Sequence, residues 1–176
     1  MKMICVYCGS RDGDDLVFAR AAEAVGAGIA ARGMGLVYGA GDVGLMGRTA
    51  TATLAGGGPV VGVIPHHLKD AEIDKDGLTE LIAVDTMHER KMIMFKRADA
   101  FVALPGGPGT LDELIELLTW RQLGLHEKPA HLLNLDGYWD PLIALLRNTV
   151  DRGFASESFL GYLAVHETPE ALLDAL

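Results

Sequence analysis

The sequence contains little cysteine and no long apolar segment. Only two of its 176 residues are cysteines, Cys5 and Cys8, which excludes a fold held together by several disulfides. Nothing in it resembles a signal peptide or an apolar run of about 18 residues, so we expect a cytoplasmic protein without a membrane partner. The Cys5-Val6-Tyr7-Cys8 spacing leaves a redox function open, but a strand here would point the two thiols to opposite faces.

The chain is also poor in positive charge. It has 15 Lys and Arg against 24 Asp and Glu, and the formal net charge of −9 excludes a broad basic surface for nucleic-acid polymers. The local cluster of basic residues consists of Arg90, Lys91, Lys96 and Arg97. In an acidic protein such a cluster favours a small anionic ligand, and a solvated helix face is the alternative interpretation.

Sequence patterns for several kinds of catalytic centre are missing. The six histidines show neither HExxH nor another metal-ligand spacing, so we predict no metal site. No serine lies in a G-x-S-x-G turn, and no lysine has a context typical of Schiff-base chemistry. We therefore expect a protein that uses no metal and no other cofactor.

Short apolar runs alternate with helical segments along the chain. The runs are continuous and often β-branched, as strands buried on both faces are, and they cover residues 3–7, 35–38, 60–64, 81–84, 100–104 and 130–133. The predicted helices cover residues 15–31, 45–54, 87–97, 110–123 and 141–150. This alternation predicts an α/β fold with a doubly wound, mainly parallel sheet flanked by helices, in a single domain over residues 1–176. Ligands of such sheets bind at the carboxyl ends of the strands.

The most informative segment follows the fifth predicted strand. Leu104 leads into Pro-Gly-Gly-Pro-Gly-Thr and then directly into a helix. Glycines let the turn present backbone N–H groups without a Cβ in the way, and a helix N-terminus attracts anions, so this segment predicts a phosphate site. Glu113 follows one turn inside the helix. A site that only held an anion would gain nothing from this negative charge, so we interpret Glu113 as part of the chemistry.

A structural explanation of the same residues is also open. Thr110 and Glu113 have the spacing of a capping box, in which both side chains bind backbone N–H groups at the start of a helix. Periodicity predicts that the buried stripe of this helix consists of Leu111, Leu114, Ile115 and Leu118. Glu113 then points away from the core, toward either solvent or a cleft.

A second glycine cluster follows the second predicted strand. Gly39, Gly41 and Gly44 have the G-x-G-x-x-G spacing of a dinucleotide site, which makes an NAD-dependent enzyme an alternative function. That fingerprint needs an acid at the end of the next strand, where this sequence has Val63-Ile64-Pro65, so we favour a loop that faces phosphate. Ser10 follows the first strand, and three strand ends therefore converge on one anion in this interpretation.

Two stretches carry a resemblance to a known family. Residues 87–91 (MHERK) and 105–113 (PGGPGTLDE) resemble the LOG ("lonely guy") family of cytokinin riboside 5′-monophosphate phosphoribohydrolases, and weaker similarity covers most of the chain. The resemblance implies a Rossmann-like homodimer that hydrolyses the N-glycosidic bond of adenosine-type 5′-monophosphates, including N6-substituted ones. The products are the free base, adenine or a cytokinin, and ribose 5-phosphate. The expected partner is thus a small nucleoside 5′-monophosphate.

The resemblance also implies roles for individual residues. By motif position, Arg90 and Glu113 are the catalytic pair. The substrate is held by Glu72, Lys91, Gly107, Pro108, Gly109, Thr110 and Thr119, to which the two other loops add Ser10 and Gly41. One residue departs from the family pattern, because Ala40 stands where a glycine is usual and a positive φ there would strain alanine. Family members were long labelled lysine decarboxylases, but no site for pyridoxal phosphate is evident in this sequence.

These residues suit the chemistry of glycosidic cleavage, which develops positive charge on the ribose and negative charge on the departing base. We expect Glu113 to stabilise the ribosyl cation and to position or deprotonate the attacking water. Arg90 is always charged, so its expected role is electrostatic. The alternative function is a nucleotide or molybdenum-cofactor carrier that binds without cleaving, since the glycine turn would serve both. A carrier needs no carboxylate beside its phosphate, which favours the hydrolase.

Overall fold

A computed structural model describes residues 1–69 and 77–176 of the chain. Within this part of the chain, seven strands form one sheet. The strands are β1 (Met3–Tyr7), β2 (Gly35–Tyr38), β3 (Val60–Pro65), β4 (Glu80–Val84), β5 (Ala100–Ala103), β6 (Ala130–Leu133) and β7 (Leu163–His166). The sequence predicted the first six of these and missed β7.

Helices connect the strands. They are α1 (Leu16–Ala31), α2 (Gly44–Ala55), α3 (His66–Lys69), α4 (Met87–Arg97), α5 (Pro108–Gln122), α6 (Asp140–Asp151) and α7 (Pro169–Asp174). Two short 3-10 helices, Leu135–Gly137 and Glu157–Tyr162, lie on either side of α6. Among the residues that the structure describes, no helix is long and apolar enough to cross a membrane.

The sheet is parallel throughout and doubly wound, as predicted. Its strand order is β4-β3-β2-β1-β5-β6-β7, and each strand runs parallel to its neighbours. β1 lies between β2 and β5, so the chain winds outward from β1 in one direction and then returns to continue in the other. The loops that leave β1 and β5 diverge at this switch point, which is where doubly wound sheets bind ligands.

Both faces of the sheet are buried against helices. Ile4 and Val6 of β1 pack in a core with α1, α2 and α7, whereas Cys5 and Tyr7 pack in a core with α4, α5 and α6. Cys8 belongs to the first of these cores, and both thiols are buried and free. Burial raises the pKa of both thiols. Thiols on opposite faces of a sheet cannot form a reactive pair, so the redox interpretation is wrong.

The two edges of the sheet differ from the prediction. The sequence predicted that residues 81–84 form a strand buried on both faces, but β4 is an edge strand in which Val84 alone is fully buried. β7 forms the other edge, and Ala164 and Val165 are exposed there. Edge strands have one neighbour and are only partly covered, which explains the mixed burial pattern of β4. β7, with the sequence Leu-Ala-Val-His, is as short and as apolar as β6, and the sequence analysis missed it although it fits the same pattern.

The loop after β2 holds the strained residue that the sequence predicted. Ala40 has φ 62°, in the left-handed region, and it is buried. This conformation costs alanine about 1 kcal/mol relative to an ordinary one. Gly44 in the same loop has φ 64°, and a Cβ there would overlap the backbone of Ser10. The loop is thus held tightly against the end of β1, and strain of this kind concentrates at functional sites.

Candidate active site

Three loops meet at the carboxyl ends of β1, β2 and β5. The backbone N–H of Gly9 donates to the carbonyl of Pro105 over 3.0 Å, and the N–H of Met46 donates to the carbonyl of Gly9 over 3.3 Å. The loop after β1 therefore joins the glycine turn after β5 to the start of α2. The three loops meet as the sequence predicted, and the binding of an anion between them stays a prediction.

A cavity of about 230 Å³ opens between these loops and α4. Its lining residues are Cys8, Gly9, Ser10, Met46, Met87, Arg90, Gly107, Pro108, Gly109, Thr110, Asp112 and Glu113. The structure therefore brings together seven predicted site residues in one space: Ser10, Arg90, Gly107, Pro108, Gly109, Thr110 and Glu113. Gly41 lies behind the side chain of Met46, where a Cβ on this glycine would be 3.0 Å from the Met46 Cε.

The helix that carries Glu113 begins earlier than the sequence predicted. α5 starts at Pro108, with Gly107 at the N-cap position, so Thr110 and Glu113 lie within the helix. The capping-box interpretation of these two residues is therefore wrong. Pro108 suits the first position of α5, because proline has no backbone N–H that would be left without a partner there. Gly107 has no side chain to cap α5, so the N-terminus is available to an anion.

The glycines of the two clusters differ in what surrounds them. A Cβ on Gly39 would overlap the guanidinium of Arg90, and a Cβ on Gly44 would overlap the backbone of Ser10. Those glycines serve packing within the protein, which removes the reason to assign them to a dinucleotide. By contrast, a Cβ on Gly107 or Gly109 would meet no atom within 4 Å. The space beside Gly107 and Gly109 is therefore open to a ligand.

Glu113 carries a perturbed carboxyl group. As the sequence predicted, it points away from the core, and of the two alternatives the structure shows the cleft, where Glu113 lines the cavity and is only partly exposed. Burial raises the pKa of Glu113 from 4.5 to about 7, and the charge of Arg90 opposes that rise. A carboxyl group with a pKa near neutrality can take and release a proton at physiological pH, as catalytic acids and bases do.

Arg90 reaches the cavity from α4. That helix starts with a true capping box, in which Thr86 accepts from the N–H of Glu89 and the Glu89 carboxylate accepts from the N–H of Thr86. Arg90 lies on the next turn, is buried, and donates from Nη2 to the carbonyl of Gly39. Its Nη1 lies 3.8 Å from the sulfur of Met87. The guanidinium is thus fixed between the second glycine loop and the cavity.

The predicted basic cluster is divided by the structure. Arg90 and Lys91 are buried, whereas Lys96 and Arg97 are exposed at the other end of α4. The Lys91 ammonium contacts Asp112 at 2.9 Å and Glu116 at 3.2 Å. Burial lowers the pKa of Lys91, but these two carboxylates outweigh burial and raise it above its ordinary value. Lys91 is therefore protonated and holds α4 against α5, and this charge state does not suit a Schiff-base lysine.

Thr119 lies on the outer surface of α5, away from the cavity. Its hydroxyl donates to the carbonyl of Ile115 over 2.7 Å, and it lines an open groove of about 610 Å³. Leu111 and Ile115 are exposed along the same groove, so the predicted buried stripe is wrong at these two positions. The buried stripe instead consists of Thr110, Leu114, Leu117 and Leu118. The remaining predicted residue, Glu72, lies outside the described residues.

Known proteins resemble this chain in sequence and in fold. A family model described as "Possible lysine decarboxylase" matches residues 46–176. The probable cytokinin riboside 5′-monophosphate phosphoribohydrolase LOGL2 of Oryza sativa subsp. japonica is 44% identical over 175 residues, which are 99% of this chain and 72% of that protein. The chain belongs to the LOG family. LOG2 of Arabidopsis thaliana, another cytokinin riboside 5′-monophosphate phosphoribohydrolase, is 46% identical over 157 residues, or 89% of this chain and 74% of its own length.

Solved structures with this fold include a protein whose name gives a different function. The molybdenum cofactor binding protein of Rippkaea orientalis superimposes with a TM-score of 0.75, over 99% of this chain and 94% of that chain. Its sequence identity is 23%, so the likeness shows the Rossmann-like fold alone. The fold therefore does not distinguish a hydrolase from a carrier protein, and the residues that line the cavity have to be compared with what each function needs.

Proposed function

We propose that this protein hydrolyses the N-glycosidic bond of adenosine-type nucleoside 5′-monophosphates, including those with an N6 substituent. The products are the free base, which is adenine or a cytokinin, and ribose 5-phosphate. The observation that carries the proposal is the position of Glu113. Its buried carboxyl group, with a pKa near 7, lies one helical turn beyond an anion-binding helix N-terminus and within the electrostatic reach of Arg90.

The substrate phosphate binds at the start of α5. Gly107 and Gly109 leave space for the phosphate oxygens, and the first N–H groups of the helix lack partners within it. Thr110 is buried beside the same turn, where its side chain contacts Gly106 and fixes the shape of the loop. Binding energy at the phosphate holds the ribose in place, so that energy from a remote group orients the reacting carbon.

Glu113 and Arg90 act on the bond that breaks. As the C1′–N9 bond lengthens, its electron pair moves to the base and positive charge develops on the ribose. The Glu113 carboxylate stabilises that cation and takes a proton from the attacking water, whose oxygen then bonds to C1′. The base leaves with a proton from solvent, and the Arg90 guanidinium orients Glu113 or stabilises the developing charge on the base or phosphate.

The pH dependence follows from the raised pKa of Glu113. The reaction needs the carboxylate, and Glu113 becomes ionised only as the pH rises through about 7. We therefore expect kcat/KM for AMP to increase tenfold per pH unit below about 7 and to level off above it. Infrared difference spectra between the wild type and Glu113→Gln measure the carboxyl titration directly and separate it from the phosphate ionisation near pH 6. If the increase of kcat/KM with pH does not follow this titration, Glu113 is not the group whose ionisation the reaction needs.

A chromatographic assay of products tests the function itself. AMP and an N6-prenylated AMP are incubated with the protein, and matched nucleosides without phosphate serve as controls. We expect stoichiometric release of base and ribose 5-phosphate from the nucleotides and much slower release from the nucleosides, because the nucleosides lack the phosphate anchor. Tight binding without release favours a carrier of nucleotide or molybdenum cofactor and contradicts the hydrolase.

We also propose that the protein is a homodimer of one-domain chains in the cytoplasm. All strands of the described residues belong to one sheet, which supports one nucleotide-monophosphate-binding domain. Leu111 and Ile115 are exposed on the outer face of α5, beside Thr119, Leu123 is exposed directly after the helix, and a second copy would cover them. Covering that face would place Thr119 in the interface. Sedimentation at the mass of one chain would contradict the dimer. Two free thiols suit the reducing cytoplasm.

A further inference from the structure

Tyr138 reaches the phosphate-binding turn from outside the active-site cavity. It lies between β6 and α6, and its phenol O–H donates to the carbonyl of Gly106 over 2.6 Å. Its ring lines a neighbouring cavity of about 510 Å³, on the other side of the turn. Gly107 and Pro108 line both cavities, so the turn is a thin wall between them.

The peptide unit between Gly106 and Gly107 is the target of this hydrogen bond. In a planar trans peptide the C=O and the N–H point in opposite directions. The Gly106 carbonyl is held toward Tyr138, so the N–H of Gly107 points away from Tyr138. Gly107 also lines the cavity with Glu113. Neither flanking residue has a Cβ, and steric preference alone therefore does little to fix this orientation.

The loop before Tyr138 contains a strained residue that hydrogen bonds hold in place. Asp136 has φ 48°, a left-handed conformation that is unfavourable for a residue other than glycine. The Asn134 side chain holds the loop, because its Oδ1 accepts from the N–H of Trp139 over 2.7 Å and its Nδ2 donates to Asp140 over 2.8 Å. Strain that is held in place by surrounding bonds is typical of segments with a function.

Aromatic neighbours fix the ring of Tyr138. It packs edge-on against Phe18 with 5.6 Å between ring centroids, and against Trp139 with 4.8 Å. Phe18 is itself held beneath the loop after β1, where a Cβ on Gly13 would be 2.8 Å from its ring. These neighbours hold the hydroxyl of Tyr138 against the carbonyl of Gly106, although Tyr138 is partly exposed.

We propose that Tyr138 is a positioning residue for the substrate phosphate. It locks the peptide between Gly106 and Gly107 in the orientation that presents the Gly107 N–H to the anion. Its hydrogen bond also polarises that peptide, which makes the N–H a stronger donor. This inference rests on the proposed function for the identity of the anion, and it predicts an effect on phosphate binding that does not require contact between Tyr138 and the substrate.

The variant Tyr138→Phe tests this role, because it keeps the ring and removes the hydroxyl. We expect ribose 5-phosphate to bind five- to tenfold more weakly to the variant in calorimetric titration, a loss typical of one hydrogen bond. KM for AMP should rise by a similar factor while kcat stays within about twofold of the wild type. The matched control is Tyr162→Phe, because the Tyr162 ring packs against Arg121 and not against the turn. The control should leave both constants unchanged.

Unchanged affinity of Tyr138→Phe for ribose 5-phosphate would overturn the role of Tyr138, whether or not kcat falls. Thermal unfolding of both variants guards against a general loss of structure, which would lower kcat and affinity together. Wild-type protein that fails to bind ribose 5-phosphate would overturn the phosphate site and this role with it. Wild-type binding that Tyr138→Phe retains would overturn this role alone.

Discussion

Glu113→Gln should lower kcat for AMP about 10³-fold while nucleotide binding persists. The amide has nearly the same shape as the carboxyl group, but it can neither stabilise a ribosyl cation by charge nor accept the proton of water. Catalytic bases contribute about 10² to 10⁴ to a rate, and groups that stabilise transition-state charge contribute a similar factor. The measurement is steady-state release of adenine, with the Kd for AMP determined separately by calorimetry.

The same substitution should stabilise the fold at neutral and alkaline pH. The pKa of Glu113 is raised from 4.5 to about 7 in the folded protein, so ionising this group costs folding free energy as the pH rises between those values. Glutamine cannot ionise, and Glu113→Gln should therefore gain about 3 kcal/mol at pH 8. That corresponds to a Tm roughly 6 to 10 °C higher in a chain of this size. The gain should vanish below about pH 4.5, where both states of the wild type carry a protonated group.

The control for both effects is Glu157→Gln, which changes an exposed glutamate in the 3-10 helix after α6. It should leave kcat unchanged and Tm within about a degree. If Glu113→Gln keeps most of its turnover, the catalytic role of Glu113 is wrong. If it loses turnover but gains no stability at pH 8, the carboxyl group is not buried as the structure indicates.

Gly109→Ala should raise KM for AMP at least tenfold without destabilising the protein. Gly109 lines the cavity, its φ is not in the left-handed region, and a Cβ there would meet no atom within 4 Å. Alanine is favoured over glycine within a helix by up to about 1 kcal/mol, so the fold itself gains from the change. Only a ligand in the open space opposes the added methyl group. Steady-state kinetics and thermal unfolding measure the two effects.

Gly161→Ala is the matched control, because a Cβ at Gly161 also meets no atom within 4 Å and the residue lies outside the cavity. It should change neither KM nor kcat. A KM for Gly109→Ala equal to that of the wild type would place the phosphate somewhere other than the start of α5. Gly106 is no substitute for this test, since a Cβ there would overlap the side chain of Thr110 and damage the turn itself.

The sequence predicted the architecture better than the details of the site. Strands buried on both faces leave continuous apolar runs, and the sequence therefore contained β1, β2, β3, β5 and β6 almost residue for residue. Glycine spacing alone could not separate the two loops. Gly39 makes room for Arg90, whereas Gly109 faces open space, and this difference depends on tertiary neighbours that a linear pattern does not contain.

Helix α5 shows a second limit of sequence reasoning. The spacing of Thr110 and Glu113 fits a capping box, but the proline at position 108 starts the helix two residues earlier. The signal that could have found this earlier start is Pro108 directly after a glycine. Glu113 lies within the helix with either start, and its carboxyl group lines the cavity. Tyr138 had no signal at all, because its role depends on a loop that is distant in sequence from the turn.

A crystal structure of Glu113→Gln with AMP is the sharpest test of the proposed site, since we expect the variant to bind the nucleotide without hydrolysing it. We predict that the phosphate lies on the N–H groups of residues 107–110 and that the side chain at position 113 lies within about 4 Å of the anomeric carbon. A phosphate bound elsewhere, or a side chain at position 113 turned to its own backbone and away from the ribose, would contradict the account.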